Sequence, residues 1–472
     1  MHVSVTIVIV NWNKRDIVVR LLDSLVRLDY PSFNIIVVDN ASSDGSVDAV
    51  RHHASSVVLL ENKENLGGTG GFNAGIRYAL QHFKPKYIWL LDNDALVEPK
   101  ALASLVSVME ADAGIGIAGS KILNADDPDV VVEYGAHIDW TSGDVIPVNR
   151  NMKNSGDQTG TVTVDYVAIC SALLRANALQ RVGLMDERYF LFWDDMDWGI
   201  AFQKAGYRVV AVNDSLVYHP AFTEKRSGLV HYYYGIRNPL LTISKYSLNF
   251  SGVAGMYRIC RKACHIIGLS NLGKMTMPHR LCLRALRDFL GGAWGRAPSH
   301  LYTPAGITRE LFRELRWEDL EGKILVLNTG NKEDILKILD MIRNQGGQRV
   351  HSQLLMDEDR QGLYPDVAQS DSVYVNLHAD SVSTILSRFI QLIRSGYSIT
   401  INPSYDKVSP YAPFAKSMAY WDPVTNRLLS TKSPRLISVA CAFILAELSA
   451  LLLMPFLLLR SMRYFVREGA GR

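Results

Sequence analysis

Val3-Ser4-Val5-Thr6-Ile7-Val8-Ile9-Val10 is β-branched almost throughout, which suits a strand buried on both faces of a parallel sheet. The run stops at Asn11-Trp12-Asn13. Ile17, Leu21, Leu22, Leu25 and Leu28 then recur at helical spacing up to Pro31, and Ile35-Ile36-Val37-Val38 follows as a second strand ending in Asp39. This is a βαβ unit, and Val57-Val58-Leu59-Leu60 adds a third strand after a short helix. Right-handed crossovers leave the carboxyl ends of parallel strands on one edge, where α/β folds receive ligands. The fold class expected is therefore α/β, with Asn11 and Asp39 on that edge.

Tyr87-Ile88-Trp89-Leu90-Leu91 is a further buried strand, and it delivers Asp92-Asn93-Asp94 to the same edge. Side chains two apart on an extended backbone point the same way, so Asp92 and Asp94 can face one object together. A hard divalent cation fits them: Mg²⁺ prefers one or two protein carboxylates plus substrate phosphates to a closed protein cage. Plain turn chemistry is the competing reading of an Asp-x-Asp after an apolar run. For Asp39 the alternatives are capping of the next helix and contact with a nucleotide.

Between the third strand and the next helix lies Glu64-Asn65-Leu66-Gly67-Gly68-Thr69-Gly70-Gly71-Phe72. Glycines there allow backbone N–H groups to approach a ligand, in a loop opening onto a helix N-terminus that favours phosphate. The spacing is neither a Walker loop nor a Gly-x-Gly-x-x-Gly fingerprint.

These four segments together resemble the inverting family 2 glycosyltransferases, which have a GT-A fold. The resemblance rests on Val8 to Asn13, Val37 to Ser46, Asn65-Leu66-Gly67-Gly68 and Leu90 to Asp94, and covers about the first half of the chain. It implies a GT-A type nucleotide-binding fold with a mixed, mainly parallel sheet. It also implies a nucleotide-diphosphate sugar donor held by Asn11, Asp39, Gly67, Gly68 and Asp92, with Mn²⁺ or Mg²⁺ on its diphosphate.

Further on, Tyr189 to Trp193 leads into Asp194-Asp195-Met196-Asp197 and a helix stopped at Gly206. A helix N-terminus stabilises carboxylates and is expected to keep one ionised near neutral pH, as a general base requires. Trp193-Asp194-Asp195, Val217-Tyr218-His219-Pro220 and Tyr233-Tyr234-Gly235-Ile236-Arg237-Asn238 are similar to stretches of bacterial galactofuranosyltransferases, and rhamnosyltransferases share much of the pattern. The resemblance implies Asp195 as the catalytic base, His219 as a third metal ligand beside Asp92 and Asp94, and Trp193 and Asp194 at the donor. Asn93 departs from the galactofuranosyl pattern, which has a third Asp there, and this loosens the sugar assignment.

The 472 residues suffice for several domains, and a net charge of +3 argues against a general nucleic-acid binder. The five cysteines are too sparse for a disulfide framework. Cys260, Cys264, His279 and Cys282 match no common zinc spacing and read as helix packing. Residues 1–246 are expected to form the catalytic domain. Residues 247–300 carry Arg258, Arg261, Lys262, Lys274, Arg280, Arg284, Arg287 and Arg296 with Asp288 opposing them, a pattern for helices against anionic lipid or for a solvated face. Residues 301–430 resume an α/β pattern, with strands at Ile324 to Leu327, Val373 to Leu377 and Ser398 to Ile401 and helices through Ile335 to Ile342 and Val382 to Ile393. The Thr329-Gly330-Asn331 turn there is too common to signify nucleotide binding.

Within 431–472, Leu436 to Leu459 is almost wholly apolar and longer than the roughly 20 residues that cross a bilayer. Arg460, Arg463, Arg467 and Arg472 follow it, against Lys432 and Arg435 before it. A single span would export the more basic flank, against the positive-inside rule. A broken or re-entrant hairpin is therefore expected, with a tilted single span as the alternative.

The function expected is a metal-dependent inverting transfer of a sugar, galactofuranose favoured, to a lipid-linked glycan at the cytoplasmic face of a bacterial inner membrane. Rhamnose transfer from dTDP-rhamnose is the first alternative. A sugar nucleotidyltransferase would carry a Gly-rich basic loop where this chain has Asn11-Trp12-Asn13, and a non-catalytic binding protein would not need a metal pair and a base together. Homo-oligomerisation is left open.

Overall fold

The computed structural model describes the chain except residues 1–2, 54–56, 151, 155–159, 221–227, 273–275, 299–312, 328–331, 347–349, 357–371, 375–389, 393, 404–414, 423–426, 433–435 and 470–472. The first half opens with β1 (Val5–Asn11), α1 (Arg15–Leu25), β2 (Phe33–Asp39), α2 (Ser46–His53), β3 (Val57–Glu61), α3 (Gly67–His82) and β4 (Tyr87–Asp92). It continues through β5 (Leu96–Val97), α4 (Ala101–Ala111), β6 (Ile115–Asn124), β7 (Val131–Glu133), β8 (Ala136–Asp139), β9 (Asp144–Pro147), β10 (Thr161–Val164), β11 (Ser171–Arg175), α5 (Leu179–Val182), α6 (Asp194–Lys204) and β12 (Arg208–His219).

A 10-stranded sheet is ordered β10-β12-β6-β11-β4-β1-β2-β3, with β5 on β12 and β7 on β6. β1 pairs in parallel with β2 and β4, and β2 with β3. β11 lies antiparallel between β4 and β6, and β12 runs parallel to β6. The sheet is thus mixed with its main strands parallel, as expected. Helices cover both faces: Tyr87, Trp89 and Leu91 pack with α1 and α4, while Ile88 and Leu90 pack with α3 and α6. Burial on both sides explains why β4 is apolar at every position instead of alternating.

Two pairings fix the ligand edge. Asn11 sits opposite Asp39, and Val10 opposite Asp92. On the other side of the sheet β5 pairs antiparallel with the end of β12, Val217 with Val97 and Tyr218 with Leu96. Continuing that register by one residue brings His219 beside Ala95 and Asp94.

Three helices follow, α7 (Gly228–Tyr246), α8 (Phe250–Leu272) and α9 (Thr276–Gly291). Cys260, Cys264 and Cys282 are buried in their shared core, which agrees with the packing reading of those thiols. A second sheet of seven strands comprises β13 (Arg313–Leu315), β14 (Gly322–Leu327), β15 (Val350–Met356), β16 (Ser372–Tyr374), β17 (Ile399–Asn402), β18 (Ser417–Asp422) and β19 (Arg427–Lys432), with α10 (Lys332–Gly346) after β14. Its order is β13-β19-β18-β17-β14-β15-β16, a doubly wound arrangement about β14. The Thr329-Gly330-Asn331 turn and most of the helix expected over Val382 to Ile393 lie outside the described residues, and the strand expected over Val373 to Leu377 is described only to Tyr374.

The C-terminal segment corrects an expectation. α11 (Leu436–Gly469) is one 34-residue helix with Pro455 inside it, and the chain does not reverse as a hairpin would. The reason is packing on both sides of the proline. Ala446 and Ala450 before it, and Leu457 and Ser461 after it, are all buried against α7 to α9, and Ser461 Oγ lies 2.8 Å from Ser244 Oγ. A proline removes one backbone hydrogen bond and clashes with the preceding turn, which such packing tolerates. The opposite face, including Leu448, Leu452, Phe456 and Leu459, is exposed and apolar.

Candidate active site

At the sheet edge, Asn11 is fully buried. It donates to Asp39 Oδ2 at 3.1 Å and accepts from Asn93 Nδ2 at 2.9 Å. Asp39 Oδ1 in turn accepts the Ser42 N–H at 2.7 Å. Through its side-chain amide, Asn93 therefore ties the Asp92–Asp94 turn to the two edge residues. A third aspartate there would lack that donor.

Asp92, Asp94 and His219 bring one ligand atom each to within 4.8 Å of one another. His219 is fully buried and its Nε2 lies 2.9 Å from Asp94 Oδ1. Its Nδ1 is 2.7 Å from the Pro220 carbonyl oxygen, which can only accept, so Nδ1 carries a proton. Nε2 is left facing the carboxylate, the position from which a neutral imidazole ligates a cation shared with Asp94. Two carboxylates and an imidazole fixed in one tautomer are a donor set that fits Mn²⁺ or Mg²⁺. The sequence offered no local sign of the imidazole's partner; the β5–β12 pairing supplies it.

The glycine segment differs from the loop expected. Gly67 to Gly71 form the first turns of α3, and most of these glycines serve packing. A Cβ on Gly71 would stand 2.7 Å from Val10 Cγ1, and one on Gly75 2.3 Å from Val8 Cγ1, so α3 rides directly on β1. Gly67 has φ +74° and abuts the Phe190 carbonyl, while Gly68 faces open space. Of the two glycines assigned to the donor, Gly68 leaves its backbone approachable. Thr69, buried in the same turn, donates to Asp194 Oδ2 at 2.7 Å. Asp194 thereby joins α3 to the start of α6.

Trp193 occupies the N-cap position of α6 in a left-handed conformation, φ 68°, following Phe190 at 65° and Phe192 at 63°. Three such residues within four positions cost of order 1–3 kcal/mol each, and the neighbouring helix supplies the restraint. Asn238 of α7 donates to the carbonyls of Tyr189 (3.2 Å), Leu191 (2.8 Å) and Phe192 (2.8 Å). Arg237, fully buried, donates to the carbonyls of Arg188 (3.1 Å) and Tyr189 (3.2 Å) and lies over the Tyr233 and Tyr234 rings. The sequence singled out Tyr233 to Asn238 by resemblance without giving it this role, because its partners are backbone carbonyls some 46 to 49 positions away.

Asp195 is partly exposed at the first turn of α6 and accepts the Met196 N–H at 2.9 Å. Desolvation by burial, then the charge of Asp194, push its carboxyl well above the ordinary aspartate range. Burial raises Asp194 as well, against the Thr69 hydrogen bond. Desolvation thus works against the helix N-terminus that was expected to favour the ionised form, and it draws the carboxyl toward the range in which a general base exchanges protons. Asp197 turns away to Lys245 at 2.5 Å and to Tyr189 Oη at 3.0 Å, and is structural.

Residues 6–182 match the model of the family described as glycosyl transferase family 2, and this part of the chain is a domain of that family. Over 274 residues the chain is 25% identical to galactofuranosyltransferase GlfT2 of Mycobacterium tuberculosis, covering 52% of this chain and 40% of that one. It is 24% identical to rhamnosyltransferase WbbL of Escherichia coli over 236 residues, 47% of this chain and 86% of that one. Among solved structures, mannosyltransferase PcManGT of Pyrobaculum calidifontis, in complex with GDP-Man and Mn²⁺, is similar with a TM-score of 0.39 at 20% identity, over 63% of this chain and 77% of that one. The likeness to the first relative spans well under two thirds of its length.

Proposed function

We propose that the chain is an inverting, metal-dependent glycosyltransferase that moves a sugar from a nucleotide-diphosphate sugar to a hydroxyl of a lipid-linked glycan in bacterial cell-surface polysaccharide synthesis. The observation that carries this reading is the convergence of Asp92, Asp94 and His219 within 4.8 Å at the carboxyl edge of the sheet. Galactofuranose is the favoured sugar, on the match to GlfT2; rhamnose is the second reading, favoured by the match to WbbL.

In the reaction, Asp195 takes the proton of the acceptor hydroxyl as its oxygen bonds to the anomeric carbon. The bond from that carbon to the diphosphate oxygen breaks on the opposite side, its electron pair leaves with the nucleoside diphosphate, and the configuration inverts. Asp92, Asp94 and His219 would hold the divalent cation, which when bound supplies charge stabilisation to the departing diphosphate. Asn11 and Asp39 fix one wall of the donor site, and the Thr69–Asp194 bond fixes α3 against the element that carries the base.

The cytoplasmic face of the bacterial inner membrane is the proposed location, reached without a crossing. Glu447 of α11 bonds to Tyr257 (3.0 Å), Arg261 (2.5 Å) and His265 (2.8 Å) of α8. A perpendicular α11 would drag Arg258, Arg261 and Lys262 toward mid-bilayer, at roughly 2.5–3.5 kcal/mol each. Lying in the interface, its exposed apolar face enters lipid and α8 stays in water.

Calorimetry with Mn²⁺ or Mg²⁺ tests the donor, comparing UDP-galactofuranose, dTDP-rhamnose and UDP-hexopyranoses. Metal-dependent binding of one of them is expected; binding of none, with either metal, would refute the reading.

A further inference from the structure

A cavity of about 390 Å³ is lined by Trp193, two positions before the base, and by none of the metal ligands or sheet-edge residues. Four elements form it: the turn joining β8 and β9, Trp193, α7 and α8. The turn is seated hard on α8. Gly143 has φ +69°, and a Cβ on it would stand 2.6 Å from Ile259 Cδ1; one on Gly255 would stand 2.2 Å from the Trp140 carbonyl oxygen. Neither position tolerates a side chain, so this wall is fixed.

Arg258 and Lys262 line the cavity one turn apart on α8. Like charges at that spacing repel by about 0.2–0.5 kcal/mol, and among the described residues neither is within 4.0 Å of a carboxylate. Other charged groups face them. Asp144 lines the cavity from the β8–β9 turn, the Asp139 carboxyl in the same turn is held down first by Ser142 and last by the charge of Arg258, and His231 lines the cavity from α7. Trp193 and Tyr232 contribute aromatic surface. The lining therefore offers two cations, a carboxylate and aromatic rings, a combination suited to a sugar bearing a phosphoryl group.

We propose that this cavity is the acceptor subsite, with Arg258 and Lys262 binding a phosphoryl group carried by the acceptor and Asp144, Trp193 and Tyr232 receiving its sugar. The inference rests on the glycosyltransferase reading and deepens it. Helical geometry links the subsite to the lipid-facing helix: Tyr257, Arg261 and His265, which hold Glu447 of α11, form the stripe of α8 next to Arg258 and Lys262. A phosphoryl group on a membrane-borne lipid and one on a soluble glycan share this chemistry.

The test uses the full chain, without metal or donor, and three probes: a hexose linked through diphosphate to an octyl chain, octyl hexoside, and hexose 1-phosphate. The diphosphate probe is expected to bind at least tenfold tighter than the hexoside, and R258A/K262A to abolish that preference while R258K/K262R keeps it. Equal binding of hexose 1-phosphate and the diphosphate probe would assign the phosphoryl group to a soluble acceptor, and tighter binding of the latter to a lipid. No preference in the wild type, or an undiminished one in R258A/K262A, would overturn the proposal. UDP binding with Mn²⁺, measured on the same proteins, reports the strand-edge site separately; its loss in the wild type would count against the glycosyltransferase reading instead.

Discussion

His219 Nε2 stands 2.9 Å from Asp94 Oδ1 while its Nδ1 meets the Pro220 carbonyl oxygen at 2.7 Å. A backbone carbonyl thus orients the imidazole toward the carboxylate. A ligand orientation fixed in advance lowers the ordering cost of metal binding. His219→Ala is expected to weaken Mn²⁺ binding by about 100-fold or more, above the 10- to 100-fold typical of losing an outer partner. Titration followed by electron paramagnetic resonance measures it. In the wild type, Mn²⁺ at 100 times its Kd should add about 2.7 kcal/mol of stability, and at the same concentration the increment should fall to about 0.4 kcal/mol or less in the variant.

Asp195 has its carboxyl raised by burial and by Asp194. Transfer needs it ionised, so kcat should fall as pH drops through a value above the ordinary aspartate range of about 3.9. The stability consequence has the opposite sense. A carboxyl raised in the folded state favours folding when protonated, and that contribution is lost as pH rises through the raised value. Asp195→Asn should therefore melt higher than the wild type at pH 8, with the gap closing toward pH 4, while transfer falls by at least about 100-fold, in the range expected for a general base. Thermal melts across pH, paired with rates, check both.

Asn238 acts through the loop that precedes the base. Removing its amide leaves the Leu191 and Phe192 carbonyls without these bonds, at about 1–3 kcal/mol for each group left buried and unsatisfied. Asn238→Ala should lower kcat tenfold or more, leave the Kd for nucleoside diphosphate and Mn²⁺ within about twofold, and lower Tm by several degrees. Asn238→Asp keeps the shape but loses the donor, and should not rescue kcat. Rescue by aspartate would show that shape alone suffices.

Along α11, the exposed Leu448, Leu452 and Phe456 form the face assigned to lipid, and Ala446, Ala450 and Leu457 the face packed on protein. Replacing the first three by Gln should release the protein from vesicles of mixed phosphatidylglycerol and phosphatidylethanolamine with Tm nearly unchanged. Ala450→Gln should instead lower Tm by overfilling the α8 contact. Flotation and melting curves separate the two faces.

The sheet and its edge were readable because burial on both faces leaves uninterrupted apolar runs, and because parallel strands send their carboxyl ends to one side. Asn11, Asp39 and Asp92 follow from that alone, as the Asn11–Asp39 and Val10–Asp92 pairings show. Glycine content misled at α3: glycines needed for phosphate approach and glycines needed for close packing look the same until Val8 and Val10 are placed beneath Gly75 and Gly71. The end of the chain misled for a similar reason. Charge bias argued for a hairpin, but Ala446, Ala450, Leu457 and Ser461 pack on earlier helices, Ala450 and Ser461 through contacts 190 to 217 positions apart, and α11 stays one continuous helix through Pro455. Pairings over such separations leave no local pattern. The cavity beside Trp193 was likewise invisible, because it depends on Gly143 and Gly255 closing a turn onto α8.

The central claim is that Asp92, Asp94, His219 and Asp195 form one inverting site. Its most direct test is the anomeric configuration of the product formed by the purified full chain from UDP-galactofuranose or dTDP-rhamnose, with Mn²⁺ and a diphosphate-linked acceptor, read by NMR. The account predicts a product of inverted configuration, formed together with one nucleoside diphosphate per acceptor consumed and lost in Asp195→Asn. A product of retained configuration, or undiminished transfer by Asp195→Asn, would contradict it.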